Sequence, residues 1–143
     1  MIYSIAQRST VTTIAAPSWE VRAAATNKPK VYEIGIANAA ATASVYGIGR
    51  PAAIGVTPTS PLTLLDESDG AAPTGLTTCA VAWATAPTVP ANFFRRTAVA
   101  ATIGSIVIFT FPRGLGIPAS GSIVMWNITA NSAAVDFWAV VDE

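Results

Sequence analysis

The sequence predicts an all-β fold, an antiparallel sandwich of the jelly-roll kind with an extended N-terminal arm. Three observations carry that expectation. Ten prolines and ten glycines are spread along the 143 residues and cut the chain into short pieces, as turn-forming residues do. The pieces between them are rich in Val, Ile, Thr, Phe, Tyr and Trp, side chains that suit a pleated, half-buried surface. No segment sustains a helical repeat over three turns. The alanine-rich residues 22–26 are the best helix candidate, but they are short, uncapped and run into Asn27-Lys28-Pro29.

Taken in order, residues 1–16 read as the extended arm, with residues 2–14 holding one or two short strands, and residues 17–143 as one sandwich domain. Residues 19–23 make a short strand with Trp19, Val21 and Ala23 on one face. Residues 30–38 alternate most clearly, Tyr32, Ile34 and Ile36 against Val31, Glu33, Gly35 and Ala37, which is the period of a strand. Residues 44–50 are expected to pair with them as a hairpin across the alanine-rich turn at 38–42. Three prolines make residues 51–61 a long surface loop. Residues 62–65 form a brief strand, and Asp66-Glu67-Ser68-Asp69-Gly70 an exposed acidic turn. A strand at 76–83 and a loop at 86–90 lead to three stronger strands at 93–100, 105–111 and 122–128. Residues 135–141 close the chain. Eight to ten strands at close spacing fit an eight-stranded jelly roll, and no internal repeat suggests a propeller or solenoid.

The late strands carry the most informative pattern. A sheet that meets water on one face alternates apolar and polar residues. Here Ile106 and Ile108 oppose Val107, Phe109 and Phe111, and Ile123 and Met125 oppose Val124, Trp126 and Ile128. Val135, Phe137, Ala139 and Val141 oppose Trp138 and Val140 beside Asp136. Three strands are therefore apolar on both faces. Loops and the arm cover the second face, or another subunit does, since large exposed apolar patches are uncommon on soluble monomers.

Composition excludes several function classes. Eight basic and eight acidic residues cancel, so there is no general electrostatic footprint for nucleic acid or an anionic membrane. With 52 % hydrophobic and 11 % charged residues, wholesale disorder is not expected. No apolar run is long enough for a membrane helix, and residues 1–8 lack the pattern of a secretory leader. The single Cys79 cannot form an intramolecular disulfide and sits in an apolar stretch, as a buried structural thiol does.

Without histidine, no Ser-His-Asp, Cys-His or His-metal scheme is available. Gly47-Ile48-Gly49 is a lone G-x-G within a strand and is no phosphate loop. Asp66, Glu67 and Asp69 are hard oxygen ligands within one turn, yet they lack the spacing of a calcium loop, and a solvated acidic turn is the expected state. Asp142 and Glu143 read as a solvated acidic end. Asn127-Ile128-Thr129 is a formal glycosylation sequon that falls in mid-strand. No catalytic, cofactor or metal residues are assigned.

The remaining features point to assembly. Arg95 and Arg96 adjoin Phe93 and Phe94, and arginine suits interface forks and stacking. Trp19, Trp83, Trp126 and Trp138 are a heavy aromatic load; most belong to the core, but tryptophan is also a frequent interface anchor. The arm can complete its own sheet or add a strand to a neighbour. The candidate contacts are Tyr3, Ile5 and Arg8 on the arm, Arg50, Arg95 and Arg96, and Trp126 and Trp138.

Several longer pieces carry a family likeness. They are Glu33-Ile34-Gly35-Ile36-Ala37-Asn38 with Ala40-Ala41-Thr42-Ala43, then Gly49-Arg50-Pro51-Ala52 and Gly55-Val56-Thr57-Pro58. Next come Trp83, Ala86-Pro87-Thr88-Val89-Pro90 and Phe94-Arg95-Arg96. Phe109-Thr110-Phe111-Pro112, Ile117-Pro118-Ala119-Ser120-Gly121-Ser122 and Trp126-Asn127 lead to the ending Trp138-Ala139-Val140-Val141-Asp142-Glu143. Over nearly the whole chain these resemble the small Ala/Thr-rich virion proteins encoded among the head genes of tailed bacteriophages. By analogy with compact capsid decoration proteins, the resemblance implies a β-sandwich that clamps neighbouring capsomers. The implied protein is a non-enzymatic cement on the outer surface of the phage head, assembled in the host cytoplasm. Its partner would be the major capsid protein, and it would form a homo-oligomer, a trimer being favoured, without cofactor, nucleic acid or membrane. The alternative expectation is a receptor- or glycan-binding jelly-roll module of a phage fibre or tail, since jelly rolls host lectin sites. An enzyme would have to work with carboxylates alone, Asp66 or Asp69 among them.

Overall fold

The computed structural model describes residues 1–10, 15–56, 58–67, 75–129 and 134–143. Among them are eleven strands: β1 (Ile2–Ser9), β2 (Ala16–Arg22), β3 (Lys30–Asn38), β4 (Ser44–Gly49), β5 (Leu62–Thr63), β6 (Leu65–Asp66), β7 (Thr78–Ala80), β8 (Arg95–Val99), β9 (Ile106–Gly116), β10 (Ser122–Asn127) and β11 (Val135–Asp142). No helix among the described residues is long and apolar enough to cross a membrane. The strands form two antiparallel sheets, ordered β6-β1-β11-β3-β9 and β5-β7-β2-β10-β4-β8. Pairing runs inward from the ends of the chain: β1 with β11, β2 with β10, β3 with β9, β4 with β8. An antiparallel ribbon folded so that successive pairs fall in alternate sheets is a jelly roll. The connection between β4 and β8 supplies β5, β6 and β7, which widen the eight-strand plan on one side.

The core lies between the sheets and follows from strand alternation. Val135, Phe137, Ala139 and Val141 of β11 face Trp19 and Val21 of β2, Ile48 of β4, and Ile123 and Met125 of β10. At its centre the Phe137 ring stacks on Trp19 at 5.8 Å and meets Tyr46 edge-on at 5.6 Å. The Trp19 indole is buried, and its Nε1 donates to Gln7 Oε1 at 3.1 Å, so its polar edge is satisfied.

Several expectations are corrected. Residues 30–38 and 44–50 are not a hairpin, because β3 and β4 lie in different sheets. Asn38 directs the crossing: its buried Nδ2 donates to Thr42 O and Ala100 O, at 3.1 and 2.6 Å. Within β3 Val31 and Glu33 lie opposite the consecutive Val141 and Val140 of β11, so Tyr32 is an extra residue and the parity reverses, as an inserted residue must make it. Val31 is therefore buried with Ile34 and Ile36, while Tyr32, expected on their face, is only partly covered. Residues 62–65 do not form one strand. The chain passes from sheet to sheet there, and the fully buried Leu64 plugs the gap between β5 and β6. The strand expected over 76–83 is only three residues long, and that expected over 105–111 extends to Gly116. Residues 2–9 take one of the two courses open to the expected arm and complete their own sheet between β6 and β11, and β2 begins at Ala16. Residues 11–14 and Asp69 lie outside the described residues.

Candidate interaction surface

The three two-faced strands have three different fates. All six residues of β10 are buried. Their outer face is covered by the chain itself, through the connection between β4 and β8. Gly47 and Gly49 leave room there for Phe93 and Pro90, and Pro58 bridges to Trp83, as Ala53 does to Thr88. Two polar anchors hold this cover to β2. The buried Glu20 accepts from Arg22 Nε at 3.0 Å and from Trp83 Nε1, and Arg22 Nη2 donates to Ile54 O at 2.9 Å. Gly55 follows in the left-handed region, φ 74°, where a Cβ would also press on the Thr85 carbonyl oxygen at 2.6 Å, so only glycine fits without strain. Cys79 lies buried beneath the same region, and its thiol is pushed well above its ordinary pKa by burial and by the nearby Glu20 charge. A thiol held protonated is a poor nucleophile.

The outer face of the other sheet is open. Cross-strand register lays it out in rows: Arg8, Asp136, Ala37 and Ile106; then Ala6, Trp138, Gly35 and Ile108; then Ser4, Val140, Glu33 and Thr110. Trp138 is half-buried because its indole lies flat across β3, where a Cβ on Gly35 would collide with the ring. Its Nε1 donates to Glu33 Oε1 at 2.8 Å, which fixes the plane of the ring. Beyond it, Ile106 and Ile108 are 57 % and 52 % exposed on the edge strand β9, and Ile103 in the preceding loop is 68 % exposed. These side chains make one apolar band bordered by charge.

On that border Arg8 Nε and Nη2 bind the two Asp136 carboxylate oxygens at 2.7 and 2.8 Å. The hydrogen bonds from Arg8 hold the Asp136 carboxyl below its ordinary value of 3.8, burial opposes them slightly, and the arginine charge adds to the lowering. A carboxyl lowered on folding stabilises the folded state above its unfolded pKa and ceases to do so as pH falls through the folded value. Both side chains are well exposed, so the contribution is small and screened by salt. The expected result is a small difference in denaturation midpoint between wild type and Asp136→Asn that is constant from about pH 7 to 5 and shrinks towards about pH 2. A difference that grows on acidification would contradict the pairing.

A second charged feature flanks the apolar band, where β8 and β9 leave one side of the sandwich open. Between Thr110 and Leu115 the chain bulges away from β3. Pro112, which lacks an N–H, and Gly114, at φ 70°, accommodate the irregularity, as such residues do on edge strands. The bulge and Arg95 line an open depression of about 350 Å³ with Phe111, Pro112, Arg113 and Leu115. Arg95 lies over the Phe111 ring at 5.4 Å, and Arg50 over Phe94 at 4.9 Å with Nη2 bonded to Gly116 O at 2.7 Å. Arg96 and Arg113 are exposed.

The expected contact residues therefore separate. Arg8 and Trp138 belong to the open face, and Arg50, Arg95 and Arg96 to the basic side. Tyr3, Ile5 and Trp126 are corrected: Tyr3 and Ile5 point into the core and Trp126 is fully buried beneath the chain's own cover, so none offers surface to a partner. Ile103, Ile106, Ile108 and Arg113 were not among the expected contacts, although the two-faced pattern of residues 106–111 was the signal for Ile106 and Ile108. Among the described residues, no three His, Cys, Asp or Glu side chains converge as metal ligands would. The sequon residue Asn127 is buried in β10. Comparison with known proteins finds no matching family model, no matching curated protein and no matching solved structure.

Proposed function

We propose that this chain is a structural virion protein, a non-enzymatic cement or decoration protein that binds the outer surface of a phage head and stabilises the shell by protein contacts. The observation that carries the reading is the exposed pair Ile106 and Ile108 beside the half-buried Trp138, on a sheet whose opposite number has its strand β10 buried beneath the chain's own loops. The piecewise likeness to phage head proteins points the same way. Burial of that band against capsid subunits stabilises whichever shell state presents the matching surface, as any state-selective ligand does.

The test is co-sedimentation of the purified chain with expanded and unexpanded capsids of the virus that encodes it. Saturable binding to expanded shells is expected. Ile108→Glu, which alters an exposed side chain, should weaken binding at least about tenfold, because it buries a charge in the contact, with the melting temperature nearly unchanged. Purified virions lacking this chain would overturn the reading.

A second reading, a glycan-binding module of a fibre or tail, draws on one observation. The flat Trp138 ring beside Glu33 and Asp136 offers an apolar platform next to hydrogen-bond acceptors. Specific signals on a glycan array that vanish in Trp138→Ala would favour it over the cement reading.

A further inference from the structure

We propose that the depression beside the β9 bulge binds an acidic peptide segment of a partner protein, with a carboxylate on Arg50, Arg95 and Arg113 and an apolar side chain on Pro112 and Leu115. The ladder builds the hollow. Val31 lies opposite Leu115 and Glu33 opposite Thr110, so the stretch from Phe111 to Gly114 is set against Tyr32 alone and must loop out of the sheet. Gly114 lets that loop lie close on β3, since a Cβ there would come within 2.8 Å of Lys30 and 3.2 Å of Tyr32. The loop and Arg95 enclose the open space of about 350 Å³.

Two of the arginines are held in place before any ligand arrives. Arg50 lies over the Phe94 ring and is bonded to Gly116 O, while Arg95 lies over the Phe111 ring and its Nη1 donates to Phe94 O at 2.8 Å. Phe94 thus ties the pair together, one guanidinium on its ring and the other on its carbonyl. Each has spent one nitrogen of a group with five N–H donors, so most of each fork is free. Forks fixed in this way suit a planar carboxylate.

Their charge is not answered within the described chain. Between Asp69 and Asp136 the sequence has no acidic residue. Among the described residues no carboxylate pairs with Arg50, Arg95 or Arg113. Glu33, opposite Thr110, turns to the outer face and accepts from Trp138, and Glu20 and Asp136 are bound to Arg22 and Arg8. Cations gathered without a counter-charge raise the local potential for an anion, even where the net charge of the chain is zero. A single-stranded nucleic acid would need aromatic platforms for its bases. Phe111 is buried and Phe94 carries Arg50, so neither ring provides one.

This site does not rest on the capsid reading, and its test needs no shell. The probe is a blocked Leu-Glu-Leu-Glu peptide, titrated into the isotope-labelled full chain and followed by amide NMR shifts. Saturable shifts are expected at Arg95 and from Arg113 to Gly116, with a dissociation constant of about 1 mM or tighter at low salt. Binding should weaken at about 0.5 M salt, and the matched Leu-Gln-Leu-Gln peptide should bind at least about threefold more weakly. Arg95→Gln and Arg113→Gln should each raise the dissociation constant about threefold or more, whereas Arg8→Gln, on another strand of the sheet, should leave it unchanged. Arg113 is exposed with no hydrogen bond to lose, so its variant reads the site without disturbing the fold. No saturable shift up to about 10 mM peptide overturns the proposal, as does binding indifferent to both substitutions. Tighter binding of a short oligothymidylate at the same amides overturns it in favour of nucleic acid. Inorganic phosphate binding there as tightly as the peptide reduces the hollow to a free-anion site and overturns it equally.

Discussion

Phe137→Ala is expected to lower the free energy of unfolding by about 4 kcal/mol, the largest effect of any single substitution considered for this chain. Phe137 is fully buried at the middle of β11, the central strand of its sheet, with β1 on one side and β3 on the other. Truncation removes a ring that stacks on Trp19 and is met edge-on by Tyr46, so transfer energy, cavity formation and two aromatic contacts are lost together. The neighbours are poorly placed to collapse into the space. Trp19 is pinned by its bond to Gln7, and the backbones around it are held by ladders on both sides. Against a typical total stability of about 5–15 kcal/mol, the variant should be partly unfolded at modest denaturant. Phe137→Leu, which keeps most of the volume, should cost only about 1–2 kcal/mol. Urea denaturation followed by tryptophan fluorescence measures both. A loss below about 1 kcal/mol for the alanine variant would mean that the core closes around the gap and is not tightly packed there.

Glu20→Ala is expected to cost about 3 kcal/mol or more, although Glu20 lies outside the hydrophobic core. Its carboxylate is wholly buried between the second sheet and the connection that covers it, and it accepts from both Arg22 and Trp83. Removing it leaves a guanidinium with 15 % side-chain exposure and no counter-charge, together with an indole N–H without its acceptor. An uncompensated buried charge of that kind is strongly destabilising. Glu20→Gln retains an acceptor for Trp83 and should cost less, about 1–2 kcal/mol. The loss should be local first. Hydrogen exchange is expected to rise in residues 50–56 and 82–94 before it rises in β10, because the cover detaches before the sheet opens. Equal protection in wild type and Glu20→Ala would contradict the anchoring role.

Much of the architecture was legible because strands advertise themselves by a period of two and by the turns that end them. Residues 30–38, 122–128 and 135–141 lie close to the observed β3, β10 and β11, and the apolar face of β11 was readable residue by residue. What misled was sequence proximity. The short span from Asn38 to Ser44 looks like a hairpin turn, but it carries the chain across the sandwich, because Asn38 spends its side chain on Thr42 and Ala100. Tyr32 changed faces at a register shift that no local pattern marks. For the surface, the sequence marked residues 106–111, 122–128 and 135–141 alike as apolar on both faces and could not rank them.

The sequence by itself determined an all-β chain of short strands, an uncharged balance without histidine, and a surplus of apolar residues in its last third. These are properties of residue type and spacing, which local sterics and hydration convert into structure without reference to distant partners. Only the tertiary structure decided which apolar faces are satisfied. The chain between β4 and β8 folds back over Trp126 and Val124 and buries them, while Trp138 stays half-buried and Ile106 and Ile108 stay exposed. It likewise gathered Arg50, Arg95 and Arg113 around the bulge of β9. Burial and charge placement depend on residues brought together from far along the chain, and that information exists only once the jelly roll has closed.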